Sequence, residues 1–409
     1  MKNSLKKNII WNTLGTGANA FTSLFLLVIV TRINGLDNAG VFSFAFSTAC
    51  ILFIFATYAG RIFQVTDTTD IKDKEFILSR IITCLLSILF CVLFVLINGY
   101  NISKSLIIIT LCLYKTIESF CDVLYGILQK NEMLDIVGKS YLLKSVLGIL
   151  VFLVVDLITK NMLYSVLSMI GISIIVSIFI DYRISRKLVK IDLPINKKHL
   201  KQIFIKGFTV FLISFIPVII VNAPKYVIDH YLVDKLQAVF GIIIMPATVI
   251  SLFSQFIIHP MLTSVTNMYR KKDYESLKKM LYKMMLLVLV FGILCIVGAY
   301  IIGIPVLELV YGVSLKNYKI ELVIILLAST LSTTAGVISP FLIAMRHNFS
   351  QVIIGIITII IEVILSVLFI KKYSIAGVTY AYLIAMAINL IMYSSFIYVL
   401  LKRKIRGEN

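Results

Sequence analysis

Charged residues are scarce in this 409-residue chain, and their scarcity excludes a soluble globular protein. Only 14% of the residues are Asp, Glu, Lys or Arg, whereas 60% are hydrophobic. That balance leaves too little polar surface to cover a fold exposed to water on all sides. The composition therefore indicates a polytopic membrane protein.

Metal ligands are also few, and they are not arranged in pairs. The chain has four histidines, and its six cysteines all fall within apolar segments without the spacing of a metal site. We expect the cysteines to pack as small apolar side chains, and we predict neither a metal site nor a cofactor.

Twelve apolar segments are each long enough to cross a bilayer, which takes about 20 residues. In the first half of the chain the predicted spans are Ile9–Asn34, Ala39–Gly60, Ile77–Asn98, Lys104–Leu128, Ser140–Thr159 and Leu163–Tyr182. In the second half they are Gly207–Leu232, Gln237–Thr263, Met284–Gly303, Ile320–Met345, Phe349–Ile370 and Ile375–Leu401. The sequence thus predicts an all-α membrane protein with about 12 transmembrane helices.

The net charge of +19 would suit a nucleic-acid surface, but the positions of the basic residues argue against that function. Most lysines and arginines lie on connections that share a side of the membrane with the two termini, which predicts that both termini are cytoplasmic. The basic runs in residues 183–206 and 402–406 then fix the topology and contact anionic lipid headgroups. We predict no nucleic-acid partner.

The basic segment 183–206 also divides the chain. We predict an N-terminal six-helix lobe over residues 1–182, a cytoplasmic connection over 183–206 and a C-terminal six-helix lobe over 207–409. A short internal sequence similarity, between Asn38–Ser43 and Leu236–Gly241, favours two parallel repeats. In such an arrangement a central path forms between the lobes.

Long polar loops are missing as well, and their absence argues against an enzyme. The longest predicted outer connection is only about Ile304–Lys319, too short for a folded domain with an active site. No paired carboxylates, catalytic triad or phosphate-binding glycine loop lies outside the spans. Transport is the function that remains.

Ionisable residues inside the spans are the candidate functional groups, because a charge in hydrocarbon is costly unless it faces a bundle interior or a wet cavity. The fourth span carries Lys115, Glu118 and Asp122 on one helical face. Lys115 can pair with Glu118. The three residues form either a structural ion-pair ladder or a site where a carboxylate takes a proton or cation and the ammonium holds an anion.

The seventh span contains two prolines, Pro217 and Pro224, beside Asn222 and Lys225. We expect the prolines to interrupt the helix and to turn Lys225 toward water between the lobes, where its ammonium would attract phosphate. The alternative is that Lys225 reaches outward to the interface or pairs with Asp229.

Four further ionisable residues within spans are less specific candidates. Arg32, Lys144 and Asp156 are near enough to span ends to reach the interface, whereas Glu362 is not. Glu362 is therefore expected to be protonated, paired or part of a cation site.

Three segments that fall in both halves of the chain carry a family resemblance. They are Gly60–Asp67 with Phe76 and Arg80; Lys115–Gln129 with Asp135 and Gly138–Ser140; and Asn222–Asp229 with Phe240–Gly241, Met245–Pro246 and Pro260. These segments resemble the oligosaccharide flippases of the multidrug/oligosaccharidyl-lipid/polysaccharide exporter superfamily.

This resemblance implies twelve to fourteen helices in two lobes around a central cavity, in the bacterial cytoplasmic membrane. It also implies that the substrate is an undecaprenyl-pyrophosphate-linked oligosaccharide, turned from the cytoplasmic to the outer leaflet by alternating access for polysaccharide synthesis, with the polymerase machinery as a further partner. The implied pyrophosphate and sugar contacts are Lys225, Asn222, Lys115, Arg61, Gln64 and Arg32, and the implied coupling-ion residues are Glu118, Asp122 and Glu362.

Several other functions compete with this one. A cation-coupled drug exporter of the same superfamily would share the fold but not the Arg61–Asp67 and Asn222–Asp229 segments. A major-facilitator transporter would carry a signature after its second span that Arg61–Phe76 lacks, and a polymerase or ligase would need a large outer loop. The related lipid II flippases usually have fourteen helices and several arginines in the first helix, where this chain has only Arg32.

Overall fold

The protein is described by a computed structural model over residues 2–58, 60–66, 71–189 and 196–406, and every regular element in these ranges is a helix. The first half contains α1 (Lys2–Thr57), α2 (Gly60–Thr66), α3 (Asp73–Asn98), α4 (Ile102–Lys130), α5 (Leu134–Thr159), α6 (Met162–Val176) and α7 (Arg183–Ser185). The second half contains α8 (Lys197–Tyr231), α9 (Asp234–Ile243), α10 (Ala247–Arg270), α11 (Tyr274–Gly298), α12 (Ile304–Tyr311), α13 (Lys319–Ala344) and α14 (Asn348–Ile405). Two π-helical turns, Ser177–Tyr182 and Ala299–Gly303, follow α6 and α11.

Two of these helices each contain two predicted spans. α1 is broken at Gly35 (φ 82°, ψ 176°) and α14 at Ser374 (φ 53°), between the segments that the sequence separates. Within the described residues, eight helical stretches are long and apolar enough to cross a membrane, and the bent pair α9–α10 adds one more. Counting each part of α1 and α14 separately, and including the charged α4, the structure agrees with the predicted twelve spans.

The predicted interruption of the seventh span is wrong. α8 runs as one helix through Pro217 and Pro224 as far as Tyr231. Proline removes one backbone hydrogen bond, but in hydrocarbon an exposed irregular backbone costs more than a strained helix, so the helix persists.

Two further segments differ from the sequence prediction. The eighth span is not one straight helix, because α9 and α10 meet at a bend of 42° beside Pro246. The predicted outer connection after Gly303 is mostly helical, since α12 continues to Tyr311.

The chain forms two compact units, residues 1–218 and 219–409, and their boundary lies within α8, between Val218 and Ile219. α8 begins at Lys197, so part of the predicted basic connection is helical, and residues 190–195 lie outside the described ranges. The boundaries at 182 and 206 stay predictions.

In the N-terminal unit, α1 packs against α4 and α5. Glycines allow the closest approach: a Cβ added to Gly15 would lie 2.1 Å from the Gly138 carbonyl oxygen. Because neither position can hold a larger side chain without moving a backbone, this contact fixes α5 against α1 and places the buried polar residues of α4 and α5 in the unit's interior.

The C-terminal unit has an apolar core that joins α11, α13 and α14. Leu281 of α11, Phe341 of α13 and Leu401 of α14 are each at most 2% exposed. This core holds the first turns of α11 beside the last turns of α14.

Candidate functional site

The buried charges of α4 begin with an ion pair on the helix itself. The Lys115 ammonium lies 2.5 Å from a Glu118 carboxylate oxygen, as their spacing predicts, and the Tyr114 hydroxyl donates to the other oxygen at 2.9 Å. The ammonium also lies over the rings of Phe46 and Phe53 of α1, at 5.1 and 5.7 Å from their centroids. Lys115 is thus held by one carboxylate and by aromatic faces that favour a cation.

Asp122, one turn further along α4, does not share this pair. Both terminal nitrogens of Arg80 lie 3.3 Å from one Asp122 oxygen, and Arg61 Nε lies 3.8 Å from the other. Arg80 also donates to the Ser119 carbonyl oxygen at 2.6 Å. Two guanidinium groups share one carboxylate, so this cluster has a net positive charge.

The short helix α2 carries Arg61 into this cluster. Gln64 of α2 is fully buried, and its amide nitrogen donates to the Val123 carbonyl oxygen at 3.2 Å. A Cβ at Gly126 would lie 2.1 Å from Gln64 Oε1, so a larger residue at this position of α4 would require the Gln64 side chain to move. Arg61 Nη1 is buried and has no hydrogen-bond partner among the described residues.

A small cavity adjoins Arg80, with room for about one water-sized group. Thr57, Tyr58, Ser79, Arg80 and Thr83 provide polar groups in its wall, beside apolar residues of α2, α3 and α8. A guanidinium at the wall of such a cavity is able to receive an anionic oxygen by paired N–H donation.

A second buried ion pair joins α5 to the π-helical turn after α6. Lys144 Nζ lies 2.6 Å from Asp181, and the side chains are 4% and 0% exposed. The Tyr125 hydroxyl lies 3.3 Å from the same carboxylate oxygen and 3.0 Å from the Lys144 ammonium. The prediction that Lys144 reaches the interface is therefore wrong, because a buried carboxylate is available within its reach.

Asp156 also differs from its prediction. Its side chain is fully buried and accepts hydrogen bonds from Ser165 at 2.9 Å and Asn34 at 3.4 Å. Arg32 is exposed, as predicted for a residue near a span end.

The two candidates in the C-terminal unit are both buried. Lys225 of α8 is 8% exposed, which disagrees with a side chain reaching outward to the interface, and Asn222 is half-buried. Glu362 of α14 is fully buried, and neither carboxylate oxygen has a hydrogen-bond partner among the described residues. Of the three predicted alternatives for Glu362, pairing is the one that this geometry disfavours.

The structure therefore brings some predicted residues together and not others. Arg61, Gln64 and Asp122 meet beside Arg80, with the Lys115–Glu118 pair one turn along α4. The sequence does not single out Asp181, since a charged residue near the end of a predicted span normally reaches the interface. Asp67 and the side chain of Pro260, which contribute to the resemblance, lie outside the described residues.

Comparison with known proteins extends over nearly the whole chain. The capsular polysaccharide biosynthesis protein CapF of Staphylococcus aureus is 22% identical over 392 residues, which are 95% of this chain and 98% of that protein. The structure of the lipid II flippase MurJ in an inward closed conformation matches with a TM-score of 0.72 at 16% identity, over 95% of this chain and 87% of MurJ. An inward-facing multidrug resistance MATE family transporter of the MOP superfamily matches with a TM-score of 0.65 at 14% identity, over 100% of this chain and 96% of that one. No family model matches the chain.

The chain is an all-α, multi-pass membrane protein with the fold of a transporter. The fold resembles that of the MATE family and MurJ structures, and it is the fold that the resemblance of the sequence segments implies. The solved neighbours are transporters and a flippase, and the curated relative belongs to capsular polysaccharide biosynthesis.

Proposed function

We propose that the protein is a flippase that moves undecaprenyl-pyrophosphate-linked oligosaccharide units from the cytoplasmic to the outer leaflet of a bacterial cytoplasmic membrane. The observation that carries this proposal is the cationic cluster in the N-terminal unit, where Arg61 and Arg80 share the single carboxylate of Asp122. A buried cluster with excess positive charge suits a pyrophosphate, because guanidinium groups bind phosphate oxygens through paired hydrogen bonds.

The likeness to a capsule biosynthesis protein and to a lipid II flippase supports a lipid-linked substrate of this chemical class. In this proposal, Lys225, Asn222, Lys115, Gln64 and Arg32 are further pyrophosphate and sugar contacts, and Glu118, Asp122 and Glu362 are the coupling-ion residues. The partners are membrane lipids and the polysaccharide polymerase machinery, and no cofactor is required.

A cation-coupled drug exporter is the second candidate, and the likeness to MATE family transporters favours it. The two candidates differ in substrate charge. A polyanionic lipid carrier needs cations in its path, whereas a cationic drug is repelled by the Arg61–Arg80 cluster.

Reconstitution separates the two candidates. Vesicles containing the protein and a defined undecaprenyl-pyrophosphate-linked oligosaccharide should show the sugar on the leaflet opposite to its starting side, whereas vesicles without the protein should not. Cationic dyes should not be transported in the same vesicles. Dye transport without movement of the lipid-linked sugar would contradict the proposed flippase and establish the exporter.

The positions of the basic residues also predict the topology, with both termini in the cytoplasm. A reporter that is active only outside the cytoplasmic membrane should be silent when fused after Asn409. The same reporter should be active when inserted at Ser314, which lies in the turn after α12. The reverse pattern would contradict the proposed orientation.

A further inference from the structure

In the C-terminal unit, the start of α11 and the end of α14 enclose a groove with about 490 Å³ of empty space. It is lined by Glu275, Lys278, Tyr282, Tyr398, Leu401, Lys402, Ile405 and Arg406. Leu401 is buried, whereas Tyr282, Tyr398 and Ile405 are exposed.

The sequence of each helix places the same two kinds of side chain at the groove. Lys278 and Tyr282 are four residues apart on α11, and Tyr398 and Lys402 are four residues apart on α14. Residues with this spacing lie on one helical face, one turn apart. Because α11 runs into the membrane and α14 runs out of it, each lysine lies nearer the helix end and each tyrosine lies one turn deeper.

The charge of the groove is positive. Lys278, Lys402 and Arg406 outnumber the single carboxylate of Glu275. Among the described residues, no ion pair joins any of these three cations to a carboxylate. Their positive charge is therefore available to an anion that enters the groove.

Apolar surface continues from the tyrosines toward the membrane interior. Leu286, one turn beyond Tyr282, is 61% exposed, and Ile391, two turns beyond Tyr398, is 63% exposed. Tyrosine is typical of the level of lipid headgroups, and exposed leucine and isoleucine are typical of the level of acyl chains. The groove thus passes from cations through aromatic rings to hydrocarbon along one pair of helices.

We propose that this groove binds the headgroup of an anionic phospholipid. The phosphate accepts hydrogen bonds from Lys278, Lys402 and Arg406, and the tyrosine rings cover the glycerol region. The acyl chains lie along Leu286 and Ile391. Basic pockets between transmembrane helices bind acidic headgroups by this combination of charge and apolar contact. This site is separate from the Arg61–Arg80 cluster and does not depend on the transported substrate.

Native mass spectrometry of the purified full-length protein tests the proposal with phosphatidylglycerol as the anionic probe and phosphatidylcholine as the zwitterionic one. Each interfacial cation contributes about fivefold to the affinity for an acidic lipid, so Lys278→Ala/Lys402→Ala should weaken phosphatidylglycerol binding about 30-fold. Phosphatidylcholine binding should not change. Lys278→Arg/Lys402→Arg should bind phosphatidylglycerol as the unmodified protein does.

A matched control removes two charges from the same two helices without touching the groove. Lys283 of α11 and Arg403 of α14 are exposed and do not line it, so Lys283→Ala/Arg403→Ala should retain phosphatidylglycerol binding. Equal losses in the two double-alanine variants would overturn the proposal, as would equal affinity of the unmodified protein for both lipids. Displacement of phosphatidylglycerol by equimolar inorganic phosphate would show an anion site rather than a lipid site. An unchanged melting temperature in detergent establishes that each variant is folded.

Discussion

Lys225→Ala should leave the protein inserted in the membrane but make lipid-linked oligosaccharide accumulate on the cytoplasmic leaflet. Lys225 is 8% exposed within α8, and an ammonium at this depth is retained where it contacts an anion or water. Loss of a charge-assisted hydrogen bond of about 1.5–3 kcal/mol lowers the affinity for the carrier about 10- to 100-fold. Leaflet-specific labelling of the carrier-linked sugar measures the effect.

Two further variants distinguish a role in binding from a role in folding. Lys225→Arg retains the positive charge and should keep partial activity. Lys206→Ala removes an exposed lysine from the same helix and should transport as the unmodified protein does. Normal surface polysaccharide from Lys225→Ala at normal expression would exclude Lys225 from the transport mechanism.

Lys144→Ala should destabilise the N-terminal unit more than any other single charge removal considered for it. The substitution leaves the Asp181 carboxylate fully buried without its ammonium partner. Breaking a buried ion pair from one side costs about 3–5 kcal/mol, because the remaining charge has lost both its solvent and its partner. The free energy of unfolding in bicelles measures the loss.

If the loss of stability in Lys144→Ala arises from the unpaired Asp181 carboxylate, a second substitution that removes this charge should restore the free energy of unfolding. Lys144→Ala/Asp181→Asn removes the charge and should recover a large part of the lost free energy. Lys139→Ala breaks a pair with Asp135 on the same helix, but the Lys139 side chain is 37% exposed, so its loss should cost only about 0–1 kcal/mol. Equal destabilisation by Lys139→Ala and Lys144→Ala would contradict the assignment of Lys144 to a buried pair.

Lys115 and Lys144 illustrate how far the sequence predicts the site. Spacing within one helix is sufficient for local pairs, so Lys115 and Glu118 meet as predicted. Partners on different helices depend on packing, which one sequence does not specify. The sequence alone does not predict the Lys144–Asp181 pair or the position of Asp122 between two arginines, because each contact joins residues of separate helical elements.

The sequence predicts the fold better than the site, because an apolar segment of sufficient length defines a span regardless of its neighbours. One exception is α8, where Pro217 and Pro224 suggest an interruption. Rules for proline derive largely from helices in water, where a broken helix can expose its backbone. In a bilayer that exposure is costly, so the same residues stay helical.

The break at Gly35 has a consequence for insertions and deletions in this chain. Its backbone (φ 82°, ψ 176°) joins the helices of the first two spans directly, with no loop of several residues between them. One inserted residue just after it would rotate the following helix by about 100° and shift it by about 1.5 Å. Phe46 and Phe53 would turn away from the Lys115 ammonium, which lies 5.1 and 5.7 Å from their rings. The length of the turn at Gly35 is therefore fixed by a contact between spans, whereas an ordinary exposed turn accepts additional residues freely.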